Sequence, residues 1–242
     1  MIVYPMSFIK TSGPPPIPDA TLYFDIGDPA CYSGSGTSIN DISGNNNDGT
    51  LSGDWSYSSS NGGTIVMGGT NSLVSVTQNS SINFSNISSP ISIVIWAKIG
   101  SGYSANEGIW NKEFEAPSYD GIRLLAYTSE AFYLGVNGSG YDSKGPSSTG
   151  AFTADTWTMI TTVIVGGTSK IYVDDNSSPV LSLSTPSQSL SGTSNLEIGR
   201  DFNTGSGYLP MTWGQFRYYK GKSLSTSVIA EMFDTDKARY GL

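Results

Sequence analysis

Apolar and polar residues alternate with period two along most of this chain, in short runs broken by turns rich in Gly, Ser and Asn. In Ile91-Ser-Ile-Val-Ile-Trp-Ala-Lys98, the side chains of Ile91, Ile93, Ile95 and Ala97 point one way. Ser92, Val94, Trp96 and Lys98 point the other, which predicts a central strand with one face in the core. Residues 21–25, 63–67 and 72–76 read as strands in the same way. Residues 108–112, 121–127 and 131–137, separated by turn clusters at 117–121 and 137–140, read as a meander. A Trp-led run, residues 157–165, passes through Gly166-Gly-Thr-Ser into a second strand at 170–174, and further strands follow at 196–200 and 214–219. On the last of these, alternation puts Trp213, Gln215, Arg217 and Tyr219 on one face, opposite the core candidates Phe216 and Tyr218.

One stretch has helical spacing. Residues 226–239 carry Ile229, Met232 and Phe233 on one face, with Ser225 as N-cap and Gly241 just past the end. Val228 stands where a capping box would need Glu, so Ser225 caps alone. Residues 27–50 are dense in Gly, Ser, Asn and Asp, which tolerate left-handed backbone and bond their own neighbours. They are expected to be ordered without secondary structure.

The first twenty residues are set apart. Pro14-Pro15-Pro16-Ile17-Pro18 predicts stiff polyproline II, and Tyr4, Met6, Phe8 and Ile9 make the segment before it too apolar for a free tail. An apolar arm on a rigid spacer implies docking, either on this domain's own surface or on a neighbouring subunit. Many short strands and a single helix predict an all-β, antiparallel two-sheet sandwich with one short C-terminal helix. The domain division is an extended N-terminal arm, 1–20, and a sandwich, 21–242.

Composition narrows the function classes. Fourteen Tyr, nine Phe and five Trp exclude a disordered chain. A net charge of −8 argues against a nucleic-acid partner. No run approaches the ~18 apolar residues of a membrane span, and residues 1–10 lack the form of a secretion signal. Synthesis in a cytoplasm and no membrane insertion are the expectations. The single Cys31 rules out an intrachain disulfide framework.

In order and spacing, residues 39–50, 93–98, 157–164, 171–174, 196–199 and 216–225 resemble the laminin-G-like branch of the concanavalin A-like lectin/glucanase superfamily. The resemblance implies a jelly roll over residues 21–242. Met159, the pair Gly214-Gln215 and Val228 depart from that pattern without disturbing the fold. The opening residues 22–36, running into 41–49, are similar to laminin-G-like domains in structural proteins of tailed bacteriophages. That likeness implies a virion protein, used for capsid decoration or as a fibre or adhesin module, with copies of itself and other virion proteins as partners.

The chemistry leans the same way. Glycoside hydrolysis needs two carboxylates across the scissile bond, ~5 to 9 Å apart. The nearest approach is Glu113-Phe-Glu115 beside Pro117, which reads as a solvated loop. With no His, a Ser-His-Asp or Cys-His mechanism and a His-ligated zinc are excluded. Asp41, Asn45, Asn47 and Asp48 are hard oxygen donors in one loop and form a candidate calcium set, although the same residues also build turns. No other cofactor is expected. For sugars, rings in or near loops are the candidates: Tyr103, Trp110, Tyr119, Tyr141 and Tyr208, with the row Trp213, Arg217 and Tyr219. That row serves equally as a recognition surface, a cover for the helix or a subunit interface, with the interface favoured. The expectation is a non-enzymatic virion protein anchored by its arm, whose sandwich contacts host-surface polysaccharide. A dedicated carbohydrate-binding lectin and a degenerate glycan hydrolase are the alternatives.

Overall fold

The computed structural model describes residues 17–84, 89–113, 120–138, 141–184, 194–201 and 207–242. The arm positions Tyr4, Met6, Phe8 and Ile9, and the loop residues Glu115 and Tyr119, lie outside them, as do the side chains of Glu113 and Tyr141. The strands begin with β1 Leu22–Asp25, β2 Ser38–Ile39, β3 Gly49–Ser52, β4 Trp55–Ser58, β5 Thr64–Gly68 and β6 Leu73–Val76. The middle of the chain gives β7 Ile91–Ile99, β8 Glu107–Glu113, β9 Gly121–Tyr127, β10 Ala131–Gly138, β11 Tyr141–Pro146 and β12 Trp157–Val165. Then come β13 Thr168–Val173, β14 Leu181–Ser184, β15 Leu196–Ile198, β16 Arg200–Asp201, β17 Gly207–Tyr208 and β18 Pro210–Lys220. The helix α1, Thr226–Asp236, follows and runs into a 3-10 turn at Lys237–Tyr240.

Among the described residues the strands form two sheets. The first has the order β14-β13-β12-β7-β18-β5-β4, with β1 added on β18. The second has the order β11-β10-β9-β8-β15-β6-β3-β2, with the short pair β16–β17 attached through β8. Pairing is antiparallel except where β17 meets β8. The inward residues of both sheets make one core, in which Ile91, Ile93 and Ile95 meet Trp110, Leu124, Leu134 and Ile198. This is the two-layer sandwich expected from the alternation, and β8–β9–β10 is the meander. No described helix is long and apolar enough to cross a membrane.

The outward face of the first sheet is buried as well along its middle strands, under α1. Trp96 is stacked between Tyr240, at 4.3 Å, and Phe233, at 5.5 Å. Val94, Met159, Tyr219, Ile229 and Met232 complete this second core. The Ser225 hydroxyl caps α1 by accepting from the Val228 amide at 3.3 Å, and Gly241 ends the turn at φ 80°. The helix thus forms because its apolar stripe has a sheet face to cover.

Two expectations need correction. The loop 27–50 contains β2 and the start of β3, because Ser38–Ile39 can pair with Gly49–Thr50 on the edge of the second sheet. The row Trp213, Gln215, Arg217, Tyr219 is not one face. A β-bulge at Gly214 shifts the register, so Trp213 points into the inter-sheet core with Phe216 and Tyr218. The remaining three face α1, and the chain's own helix occupies the surface read as a subunit interface.

Candidate functional site: the outward face of the second sheet

Alternation on β9 sends Ile122, Leu124 and Ala126 into the core and Arg123, Leu125 and Tyr127 outward. Cross-strand pairing then lays out a polar row: Thr50, Ser75, Glu197, Asn111, Arg123, Gly135 and Lys144, one residue per strand from β3 to β11. Gly135 leaves the Arg123 stem room to lie across β10, since a Cβ there would sit 3.2 Å from Arg123 Cγ. Beside the row, the half-buried rings of Tyr127 and Tyr133 pack at 5.5 Å, tilted by 40°.

The pair β16–β17 crosses this face. Its passage requires Gly108, where any Cβ would collide with the Arg200 carbonyl. Arg200 grips Glu197 with two bonds, Nε to Oε2 at 2.9 Å and Nη2 to Oε1 at 2.8 Å, and lies 5.9 Å from the Tyr208 ring. Asn111 Nδ2 donates to the Arg200 carbonyl at 2.6 Å, and Arg123 pairs with Asp201 at 3.3 Å. The acids Glu197 and Asp201 of this face are therefore each paired with an arginine, and the ring of Tyr208 lies beside the Arg200 guanidinium. Flat rings beside fixed hydrogen-bonding groups suit the apolar faces and hydroxyls of sugars.

Of the sequence candidates, Tyr208 is half-buried on this face. Trp110 and Trp213 are 0% exposed in the inter-sheet core, filling space that no ligand reaches, which corrects their reading as surface rings. A register shift between Gly108 and Trp110 is what turns Trp110 inward. Tyr219 is buried beneath α1 and residues 17–20, and Tyr103 is held by donating to the Tyr127 carbonyl at 2.9 Å. Arg217 is buried, paired with Asp236 at 3.2 Å and lying 4.5 Å over the Tyr23 ring.

The proposed calcium donors do something else in this fold. Asp41 Oδ1 accepts from the amides of Tyr23 and Ser43, and Oδ2 from the Ser43 hydroxyl and the Asn47 amide, all at 2.9 Å. Asp48 accepts from the Asp41 amide at 2.8 Å, while Asn45 and Asn47 both donate to the Thr21 carbonyl. Asn47 Oδ1 accepts from Asn79 and Ser81. A cation would have to displace these donors, so the cluster acts as the clasp that ties the loop to β1. Among the described residues no group of three or more His, Cys, Asp or Glu is arranged to hold a metal. Cys31 is buried, and burial pushes its thiol up to about 12, leaving it protonated and unreactive.

A family profile described as Concanavalin A-like lectin/glucanases superfamily, of laminin-G type, matches residues 68–230. The chain belongs to that superfamily. Its fold is similar to domain 4 of AbnA, a GH43 extracellular arabinanase from Geobacillus stearothermophilus, solved in complex with arabinotriose. There the TM-score is 0.66 at 15% identity, over 89% of this chain and 98% of that one. It is also similar to the binding domain of Paraclostridial Mosquitocidal Protein 1 (TM-score 0.67, 17% identity) and to the botulinum neurotoxin serotype G binding domain (0.70, 13%). Each match covers 90% of this chain but only 52% and 51% of theirs. At such identities the likeness establishes the fold, and this chain spans about half the length of the toxin domains. No curated protein sequence matches significantly.

Proposed function

We propose that this protein is a non-catalytic glycan-binding module of a tailed-bacteriophage particle. The outward face of the second sheet contacts host-surface polysaccharide, and residues 1–20 join the module to copies of itself or to other virion proteins. The observation that carries the glycan reading is the half-buried pair Tyr127 and Tyr133, packed at 5.5 Å on the outward side of the second sheet, with Tyr208 beside Arg200 on the strand pair that crosses it. The arabinotriose complex of the arabinanase domain, whose full length this chain resembles, supports the same reading. The toxin relatives are likewise binding domains. Absence of catalysis is supported by Glu197 and Asp201, the buried carboxylates of this face, each of which is tied up in an ion pair with an arginine. The virion reading rests on the opening segment's similarity to phage modules, and assembly in the host cytoplasm follows from it.

A glycan array probed with the wild-type chain and with Tyr133→Ala and Tyr208→Ala tests the binding face. Retention of bacterial polysaccharides that drops about tenfold or more in either variant is expected, each lost stacking contact being worth roughly 1–2 kcal/mol. Binding equal in all three proteins would remove this face from the account.

A further inference from the structure

Of the four strands that end the two sheets, three are short or covered among the described residues. The strand β2 is two residues long, and β14 lies against β11, where a Cβ on Gly145 would sit 3.3 Å from Leu183 Cδ2. The fourth, β4, is open. Among the described residues nothing pairs with it beyond β5, and Trp55-Ser-Tyr-Ser58 has no charge, proline or bulge, while Ser56 and Tyr57 are exposed. Open edges usually carry such guards, because their free N–H and C=O groups accept another strand. The Gly68 amide donates to the Asp54 carbonyl at 2.9 Å, which fixes the alternation of this antiparallel ladder. Ser56 and Ser58 turn their backbone groups to β5, and Trp55 and Tyr57 turn theirs outward. Tyr57 (38% exposed) and Val66 (36%) are two of the three large apolar side chains exposed on the described surface, and both lie on this β4–β5 hairpin.

We propose that β4 receives residues 6–9 from the arm of a neighbouring copy as an added antiparallel strand. This rests on the reading that residues 1–20 join copies of the chain, and it names where they join. Residues 6–9 match the four-residue edge: they lie between Pro5 and Pro14, so every N–H that the ladder needs is present. Setting Ser7 against Tyr57 and Ile9 against Trp55 lets both pairs exchange backbone bonds. Phe8 then lies across Ser56 toward Val66, Ile9 meets the half-buried Trp55, and Pro5 falls just past Ser58. Lys10, the only charged side chain in residues 1–16, comes beside the exposed Asp54, on a chain whose net charge is −8. The donor is a neighbour because the arm starts from the wrong end to serve its own edge. Asp19 and Thr21 are bonded to Lys222, Tyr218 and Lys220, whereas β5 and β4 lie beside Pro210–Trp213 at the other end of β18. The stiff run Pro14–Pro18 would have to fold back over the molecule to reach that edge.

The test takes the full chain carrying Phe8→Cys and Ser56→Cys together, oxidises it and runs it on a non-reducing gel, beside sedimentation of wild type. In the proposed ladder these two positions form a non-hydrogen-bonded pair with Cα atoms ~4.5 Å apart, within disulfide reach. Cys31 is buried and stays out of the exchange. Chains joined by a bond that peptide mapping places between positions 8 and 56 of different molecules are expected, with neither single variant joined. Tyr57→Pro removes an N–H that points away from β5, so the hairpin remains, and the concentration for half-assembly should rise about tenfold or more. Tyr57→Val keeps that N–H and should stay within about threefold of wild type. Equal assembly in these two variants would overturn the proposal. A link inside one molecule would do so in favour of the chain's own arm, and a link formed by Ser56→Cys alone in favour of two β4 edges meeting. Wild type that assembles while no link joins positions 8 and 56 overturns this site but leaves the joining arm standing, whereas wild type that sediments as a monomer overturns both.

Discussion

Lys112 is the residue that sits most awkwardly in this core. It lies in register with Ile122 and Val136, both inward, and its amine reaches Asn83 Oδ1 at 3.0 Å and the Ser194 carbonyl at 2.8 Å. Burial, and then the charge of Lys220, lower it from the usual lysine value to about 7. Below pH 7 both folded and unfolded chains hold this proton, and the folded state carries the cost of a buried charge. Between about 7 and 10 the unfolded chain alone keeps it, so stability rises with pH across that window. Above it, Tyr219 and its buried neighbours, whose hydroxyls are pushed up by burial, turn the trend downward. Urea unfolding from pH 6 to 10 should show the rise in wild type and a flat profile in Lys112→Met; a rise of equal size in both would refute the assignment. Alternation from Trp110 assigns this position to the core side, but composition alone reads a lysine as solvent-facing. The structure resolves the conflict by giving the amine two oxygens at the end of the sheet.

At the scale of elements, the bulge in β18 decides which residues meet the core. A Cβ on Gly214 would collide with the Tyr240 hydroxyl and lie 3.0 Å from the ring. Gly214→Ala is therefore expected to cost about 1–3 kcal/mol in denaturant unfolding. Tyr240→Phe in the same chain should recover part of that, because the Tyr240 hydroxyl has no partner to lose. Equal costs with and without the hydroxyl would mean that the Tyr240 hydroxyl is not what a side chain at the bulge meets, and no cost would mean the bulge tolerates one. Strands β7, β9 and β12 and the helix were legible because each carries a clean period or a matching cap. The bulge was not, since alternation assumes an unbroken register and one extra residue reverses every assignment before it. That is why Trp213 was read as a surface ring. The proposed binding face was only half legible for a related reason: Tyr127 and Tyr133 lie in strands, where the outward half of the alternation marks them, whereas attention to aromatic residues in loops finds only Tyr208. Short β2 and β4 were not legible because two and four residues hold too little of a period to stand out among the Gly-, Ser- and Asn-rich turns around them.

For the whole molecule, the middle of the first sheet is buried on both faces, on one by the partner sheet and on the other by α1, so the second sheet supplies the strand face that no helix covers. Residues 17–20 pack against the second core through Ile17 and Ala20 and fix where the arm leaves the body. Removing residues 1–18 is expected to leave a folded sandwich that sediments as a monomer, with wild type assembled. Unchanged oligomerisation would count against an anchoring arm. The central claim, that this sandwich holds glycans without cutting them, is tested most directly by incubating the protein with host-surface polysaccharide and measuring bound polymer and reducing ends in the same sample. The account predicts polymer retained at its original length, with no rise in reducing ends, and retention lost in Tyr133→Ala. New reducing ends that accumulate with time, or no retention at all, would contradict it.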